Sequence, residues 1–209
     1  MNTFEQKRVQ TMTEEIAKNV FINEELFKAF CAVPREIFSP LKAHAYRLDA
    51  LPLASNQWIS SPLTVAKMTM ALEFKGADSV LEIGCGSGYQ AAILSKVIRR
   101  VFTIERIEKL AKSAADTFRT LGFSNINVRF DDGQNGWKNY APYDRILFSA
   151  YATYIPEILF EQLSDDGILV APLLENGRQY ITKFTKKDGK THKQTLEECL
   201  FVPILDGKN

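Results

Sequence analysis

The stretch Ser79-Val80-Leu81-Glu82-Ile83-Gly84-Cys85-Gly86-Ser87-Gly88-Tyr89 decides the fold of this chain. It reads as a short buried strand, a glycine turn and the start of a helix. Glycines at alternate positions let the backbone take positive φ and let a ligand approach with no Cβ in the way. A second apolar run, Val101-Phe102-Thr103-Ile104-Glu105, also ends in a carboxylate, 23 positions after Glu82. A carboxylate there can accept hydrogen bonds from the two hydroxyls of a ribose. Two strands ending in carboxylates around such a turn point to a nucleoside-bearing cofactor.

The spacing bears on which cofactor. A dinucleotide fingerprint is Gly-x-Gly-x-x-Gly. Here the third glycine, Gly88, comes one residue early and Tyr89 stands where that fingerprint wants glycine. A P-loop lysine is also missing. The pattern Glu-x-Gly-x-Gly-x-Gly instead resembles motif I of S-adenosylmethionine-dependent methyltransferases.

Outward from this stretch, strand and helix patterns alternate. Strands are expected at Ser79–Ile83, Val101–Glu105, Ile126–Phe130, Tyr143–Ser149 and Gly167–Pro172, with helices at Tyr89–Ile98, Ile107–Leu121 and Pro156–Leu163. Such alternation predicts a doubly wound, Rossmann-like α/β domain whose mostly parallel sheet is covered on both faces. The segments Gln179–Thr185 and Leu196–Ile204 around Asp188-Gly189 read as an antiparallel edge hairpin. Residues 1–75 read as a helical N-terminal extension and substrate lid, and 76–209 as the cofactor-binding core of a single domain. Within the extension, Asn23 is placed to cap a second helix and Pro62 to open a third. The segment Leu48–Pro62 reads as irregular.

Composition narrows the partners. Lys plus Arg number 26 and Asp plus Glu 25, a net charge of +1, which favours neither nucleic acid nor an anionic membrane. The N-terminus has no signal-peptide apolar core, and no apolar run reaches membrane-spanning length. Cys31, Cys85 and Cys199 are scattered and read as reduced thiols of a cytoplasmic protein. His44 and His192, the only histidines, lie far apart, so neither a metal site nor a Ser-His-Asp triad is expected.

From Val33 to Pro203 the chain resembles the protein-L-isoaspartate O-methyltransferases. The resemblance rests on an ordered set: Val33-Pro34-Arg35-Glu36-Ile37-Phe38, Ala45-Tyr46-Arg47-Leu48-Asp49-Ala50-Leu51-Pro52-Leu53, Gln57-Trp58-Ile59-Ser60-Ser61-Pro62, motif I, Val101–Glu105, Asp131-Asp132-Gly133, Tyr143–Ala150 and Leu169–Pro172. It implies S-adenosyl-L-methionine as cofactor, S-adenosyl-L-homocysteine as product, and isoaspartyl-containing peptides and proteins as acceptors. It implies that Glu82, Ile83, Gly84, Gly86 and Gly88 line the cofactor, that Glu105 with Arg106 holds the ribose, and that Asp132 with Gly133 meets the adenine. Ser60 would hold the acceptor carboxylate, with Gln57, Trp58, Ile59, Ala150 and Tyr151 around it. Independently of the family, Asp132 also reads as a turn residue, Ser60 as a helix cap beside Ser61, and Glu82 as a buried carboxylate satisfied by the glycine-turn amides.

The departures fall on the acceptor side. Ala54-Ser55-Asn56 replaces the family's Gly-x-Gly, Trp58 its threonine, Tyr151 the middle of a small-residue run, and Leu173-Leu174 the Val-Gly after Pro172. Methyl transfer to another acceptor, or a cofactor-binding domain without catalysis, therefore stays open at this stage. Monomer is the favoured assembly.

Overall fold

A computed structural model describes residues 1–209. Its centre is a sheet of seven strands: β3 (Ser79–Ile83), β4 (Arg100–Glu105), β5 (Ile126–Phe130), β6 (Tyr143–Phe148), β7 (Leu163–Glu175), β8 (Arg178–Lys187) and β9 (Lys190–Cys199). Their order is β5-β4-β3-β6-β7-β8-β9. The strands from β5 to β7 are parallel, while β7–β8 and β8–β9 are antiparallel. Succession runs outward from β3 to β4 and β5, then returns to β6 on the other side of β3. That reversal opens a crevice beyond the carboxyl ends of β3 and β6.

Alternate side chains of each strand feed two cores. Val80, Val101, Leu147 and Val170 face one, where α1 (Thr3–Asn19), α2 (Glu24–Ala32), α3 (Pro62–Ala71), α4 (Tyr89–Leu94) and α5 (Glu108–Thr120) pack. Leu81, Phe102, Ile146 and Leu169 face the other, covered by the short α6 (Glu157–Glu161) and by Trp137. The expected two-sided cover is thus uneven. The β5-to-β6 link holds only single 3-10 turns, including Gly133–Asn135 and Lys138–Tyr140, so Phe102 is roofed by rings instead of a helix.

Caps follow the sequence. Asn23 Oδ1 accepts from Leu26 N at 2.8 Å, and Ser61 Oγ accepts from Thr64 N at 3.1 Å with Pro62 opening α3. Three boundaries differ most from expectation. α4 stops at Leu94, after which Lys96 N and Val97 N bond three residues back, to Ile93 O and Leu94 O. The outer hairpin strand is Lys190–Cys199 and not Leu196–Ile204. Asp188 and Gly189 both take positive φ, so they make a tight turn that fixes the register at Lys187–Lys190. Strand β7 begins at Leu163, sooner than the Gly167 expected. The segment Leu48–Pro62 is also more ordered than expected: β1 (Leu51–Leu53) and β2 (Gln57–Ile59) form an antiparallel hairpin. Its turn places Ser55 and Asn56 at φ of 60° and 56°, so the backbone shape that glycines favour is kept without them.

Candidate active site

The crevice at the strand-order reversal is a cleft of about 870 Å³, open solvent included. The β1–β2 hairpin supplies Gln57, Trp58 and Ile59, and Ser60 follows. The turn after β3 supplies Gly84, Cys85, Gly86 and Ser87; β4 supplies Glu105, followed by Arg106; Ser149 and Ala150 come from the end of β6. Ile83, Glu82 and Gly133 complete the inherited set. Cofactor-type and acceptor-type residues therefore share one cleft.

Glu105 is the most closely held carboxylate of the cleft. Only 5% of it is exposed, Oε2 accepts from Gly86 N at 2.8 Å, and Oε1 accepts from Ile107 N at 2.9 Å. Each carboxylate oxygen has two acceptor directions, so these two amides leave acceptor capacity on the carboxylate. The same carboxylate fixes the glycine turn and lies in the cleft lining. Burial raises its pKa, and the amides of Gly86, Ile107 and Arg106 oppose that rise.

Glu82 departs from its expected partners. It lies wholly buried at the cleft floor, where Thr103 Oγ1 is 2.6 Å from Oε2 and Ser149 Oγ is 3.0 Å from Oε1. Two hydroxyls replace the anticipated glycine-turn amides, because the Gly86 amide is already given to Glu105. Desolvation raises the Glu82 pKa to about 8, against the hydrogen bonds from Thr103 and Ser149. The carboxyl is thus largely protonated near neutrality. A folded pKa above the unfolded value of about 4.3 means that the folded chain holds this proton more tightly. The resulting stability is complete below about pH 4.3 and is lost as pH rises through about 8. Glu82→Gln should therefore gain stability relative to the parent between pH 6 and pH 9, read from urea midpoints at both values. Parallel shifts of the two proteins would contradict a proton held at Glu82.

Three expected site residues do not reach the cleft lining. Gly88 lies beneath it: a Cβ there would come within 2.6 Å of Phe118 Cζ, so this glycine lets α4 approach α5. Asp132 Oδ1 caps Gln134 N at 3.0 Å and Oδ2 accepts from Gly207 N at 2.8 Å, so both oxygens serve backbone. Its contacts match the turn reading. Tyr151 acts through its main chain: its N–H donates to Val202 O and its carbonyl accepts from Ile204 N, each at 2.8 Å. Trp58, 54% exposed, stands at the rim of the cleft.

The C-terminal tail is the wall that the motifs did not foretell. Val202, Pro203, Ile204 and Leu205 line the cleft. Arg106 Nε donates to Gly207 O at 3.0 Å and Nη2 to Asp206 O at 3.2 Å, while Asn209 N donates to Arg106 O at 2.7 Å. Gln134 bonds Asp206 as well. Pro203 was the available signal, since proline inside a supposed strand demotes it. Ser149, Tyr89 and Gln90 also line the cleft, though none was singled out as a site residue.

A switch-point cleft, a glycine turn and a ribose-type carboxylate define a Rossmann-like domain for a nucleoside-bearing cofactor. Comparison with known proteins makes the class specific. A family model described as protein-L-isoaspartate(D-aspartate) O-methyltransferase matches residues 6–209. The protein-L-isoaspartate O-methyltransferase of Helicobacter pylori (strain J99) is 54% identical over 199 residues, covering 94% of this chain and 95% of that one. Among solved structures, a protein-L-isoaspartate O-methyltransferase superimposes with a TM-score of 0.85 at 28% identity, over 92% of this chain; the chain spans 64% of the length of that protein. A Plasmodium falciparum protein solved with S-adenosyl-L-homocysteine shares the fold with a TM-score of 0.85 at 20% identity, covering 94% of this chain and 98% of that one. The chain belongs to the protein-L-isoaspartate(D-aspartate) O-methyltransferase family.

Proposed function

We propose that this chain transfers the methyl group of S-adenosyl-L-methionine to the free α-carboxylate of L-isoaspartyl residues, the first step in repairing damaged proteins. Family membership over nearly the whole chain supports the activity. The observation that carries the site is a single cleft holding both the Gln57–Ser60 loop and the Glu105-braced glycine turn.

The donor set fits the cofactor. Glu105 has acceptor capacity for the ribose hydroxyls, Gly84 and Gly86 leave room for close approach, and Gly133 and Ile204 offer walls to the base. When bound, S-adenosyl-L-methionine supplies an electrophilic methyl on a sulfonium. The chain need not generate the nucleophile, because a carboxylate of pKa about 4 is ionised near pH 7. Its task is alignment, with reacting atoms roughly 3–3.5 Å apart, and exclusion of water. Ser60 is the acceptor-carboxylate ligand in this reading, since Ser61 already serves as the cap of α3. Gln57, Ile59 and Ala150 shape the surrounding wall, and Trp58 contacts the flanking chain at the rim.

No helix is long and apolar enough to cross a membrane. The three free cysteines support a reducing, cytoplasmic setting, and the acceptors are isoaspartyl-containing proteins. Assembly as a monomer is part of the same proposal.

Ser60→Ala tests the acceptor assignment. Loss of a hydrogen bond to a charged group is worth about 1.5–3 kcal/mol, so kcat/KM for an isoaspartyl peptide should fall by roughly 10- to 100-fold. Affinity for S-adenosyl-L-homocysteine, measured by calorimetry, should stay unchanged. A fall in cofactor affinity with peptide kinetics intact would remove Ser60 from the acceptor role.

A further inference from the structure

Arg35 is the largest fully buried side chain in the protein and none of its hydrogen bonds goes to a carboxylate. Its Nη1 donates to Ala45 O at 2.7 Å and to Arg47 O at 3.3 Å. Its Nη2 donates to Asp49 O at 3.2 Å and to Ser60 O at 3.0 Å. The Asp49 side chain is turned instead to Arg47, 2.8 Å away. Burying a cation that no carboxylate hydrogen-bonds is expensive, several kcal/mol before compensation. Desolvation accordingly lowers the Arg35 pKa.

The arrangement makes sense as a template. Residues 39–50 have only one-turn backbone bonds of their own, such as Ala45 N to Lys42 O and Arg47 N to His44 O. The planar guanidinium fork gathers three of their carbonyls and joins them to the carbonyl of Ser60. On its other side, Arg35 Cζ lies 5.5 Å from the centroid of the Tyr89 ring. Tyr89 opens α4 directly after the glycine turn and lines the cleft. One side chain thus touches the acceptor loop through Ser60 and the cofactor half through Tyr89.

We infer that Arg35 is a positioning residue for methyl transfer, fixing Ser60 and the 45–50 segment against α4 through its four carbonyl bonds and its cation–π contact with Tyr89. The inference rests on the activity proposed above. The cofactor contacts of Glu105 and the glycine turn do not pass through Arg35, so its loss should separate transfer from cofactor binding.

Arg35→Lys is the test, because lysine keeps the charge but has three donors at one point and no fork. Misplacement of about 1 Å can reduce a rate by about 100-fold, and a loss of that order in kcat with isoaspartyl peptide is expected. Calorimetric affinity for S-adenosyl-L-homocysteine should stay within about 3-fold, a split that identifies lost alignment and not lost binding. Transfer close to the parent rate, or transfer and cofactor affinity falling together, would overturn the inference. Hydrogen exchange on the parent protein decides the matter if the variant does not fold. Amides of 46–60 should be protected, and more so with S-adenosyl-L-homocysteine bound; rapid exchange indifferent to the ligand would also overturn it. If the parent itself methylates no isoaspartyl peptide, the proposed activity fails, and the exchange experiment still reads the coupling.

Discussion

Glu105→Ala is expected to weaken S-adenosyl-L-homocysteine binding by at least about 100-fold. Hydrogen bonds to a charged group are worth about 1.5–3 kcal/mol each, so two ribose contacts amount to roughly 3–6 kcal/mol, or two to four decades of affinity. The substitution also releases the Gly86 and Ile107 amides, which are held at 2.8 and 2.9 Å and shape the turn. Glu105→Gln should fall between the two proteins, because one face of its amide would present a donor to a backbone N–H. Calorimetry with S-adenosyl-L-homocysteine reads the loss directly. Affinity within about 5-fold of the parent would place the ribose elsewhere in the cleft.

The second large effect belongs to Gly88. Its φ is +89°, and an added Cβ would sit 2.6 Å from Phe118 Cζ and 3.0 Å from Cε1. A left-handed L-residue costs about 1–2 kcal/mol and overpacking about 1–3 kcal/mol, so Gly88→Ala should lose roughly 2–5 kcal/mol of stability. Phe118 is buried and packs against Phe38 and Phe123, so the ring has little room to retreat. Phe118→Leu should relieve the clash but not the backbone strain. A double-mutant cycle by urea denaturation should therefore show the pair less destabilised than the sum of its members. Strict additivity would mean that Gly88 is required for its conformation alone.

The two residues show how much of the site could be read in advance. Glu105 was legible as chemistry: strand-end position and spacing from the glycine turn both survive in the fold. Gly88 was legible as a required glycine, but its reason was not, since the sequence does not show Phe118 folding back over the turn. The strands β3, β4 and β5 follow directly from apolar runs bounded by turn residues. The outer hairpin slipped because its last strand, Lys190–Cys199, is exposed over nearly all its length and carries little apolar pattern to set a register. Long-range ties were equally hidden. Asp132 is 75 positions from Gly207 in sequence, so the tail that it anchors was invisible to local reading.

The acceptor side was legible as a place and less so as a shape. Loss of the family's glycines before Gln57 suggested a changed loop, yet Ser55 and Asn56 adopt the positive φ themselves. Asparagine tolerates that region through its short polar side chain, and serine less readily. Trp58 stands half-exposed and lines the cleft. Tyr151 lends its backbone to the tail and leaves Ala150 at the wall. Of these departures, then, Trp58 borders the cleft and Tyr151 does not reach its lining.

The most direct test of the account is methyl transfer from labelled S-adenosyl-L-methionine to two matched peptides, one carrying L-isoaspartate and one normal aspartate. Base-labile methyl ester on the isoaspartyl peptide alone is the predicted result. Equal labelling of both peptides, or none on either while the cofactor binds, would contradict it.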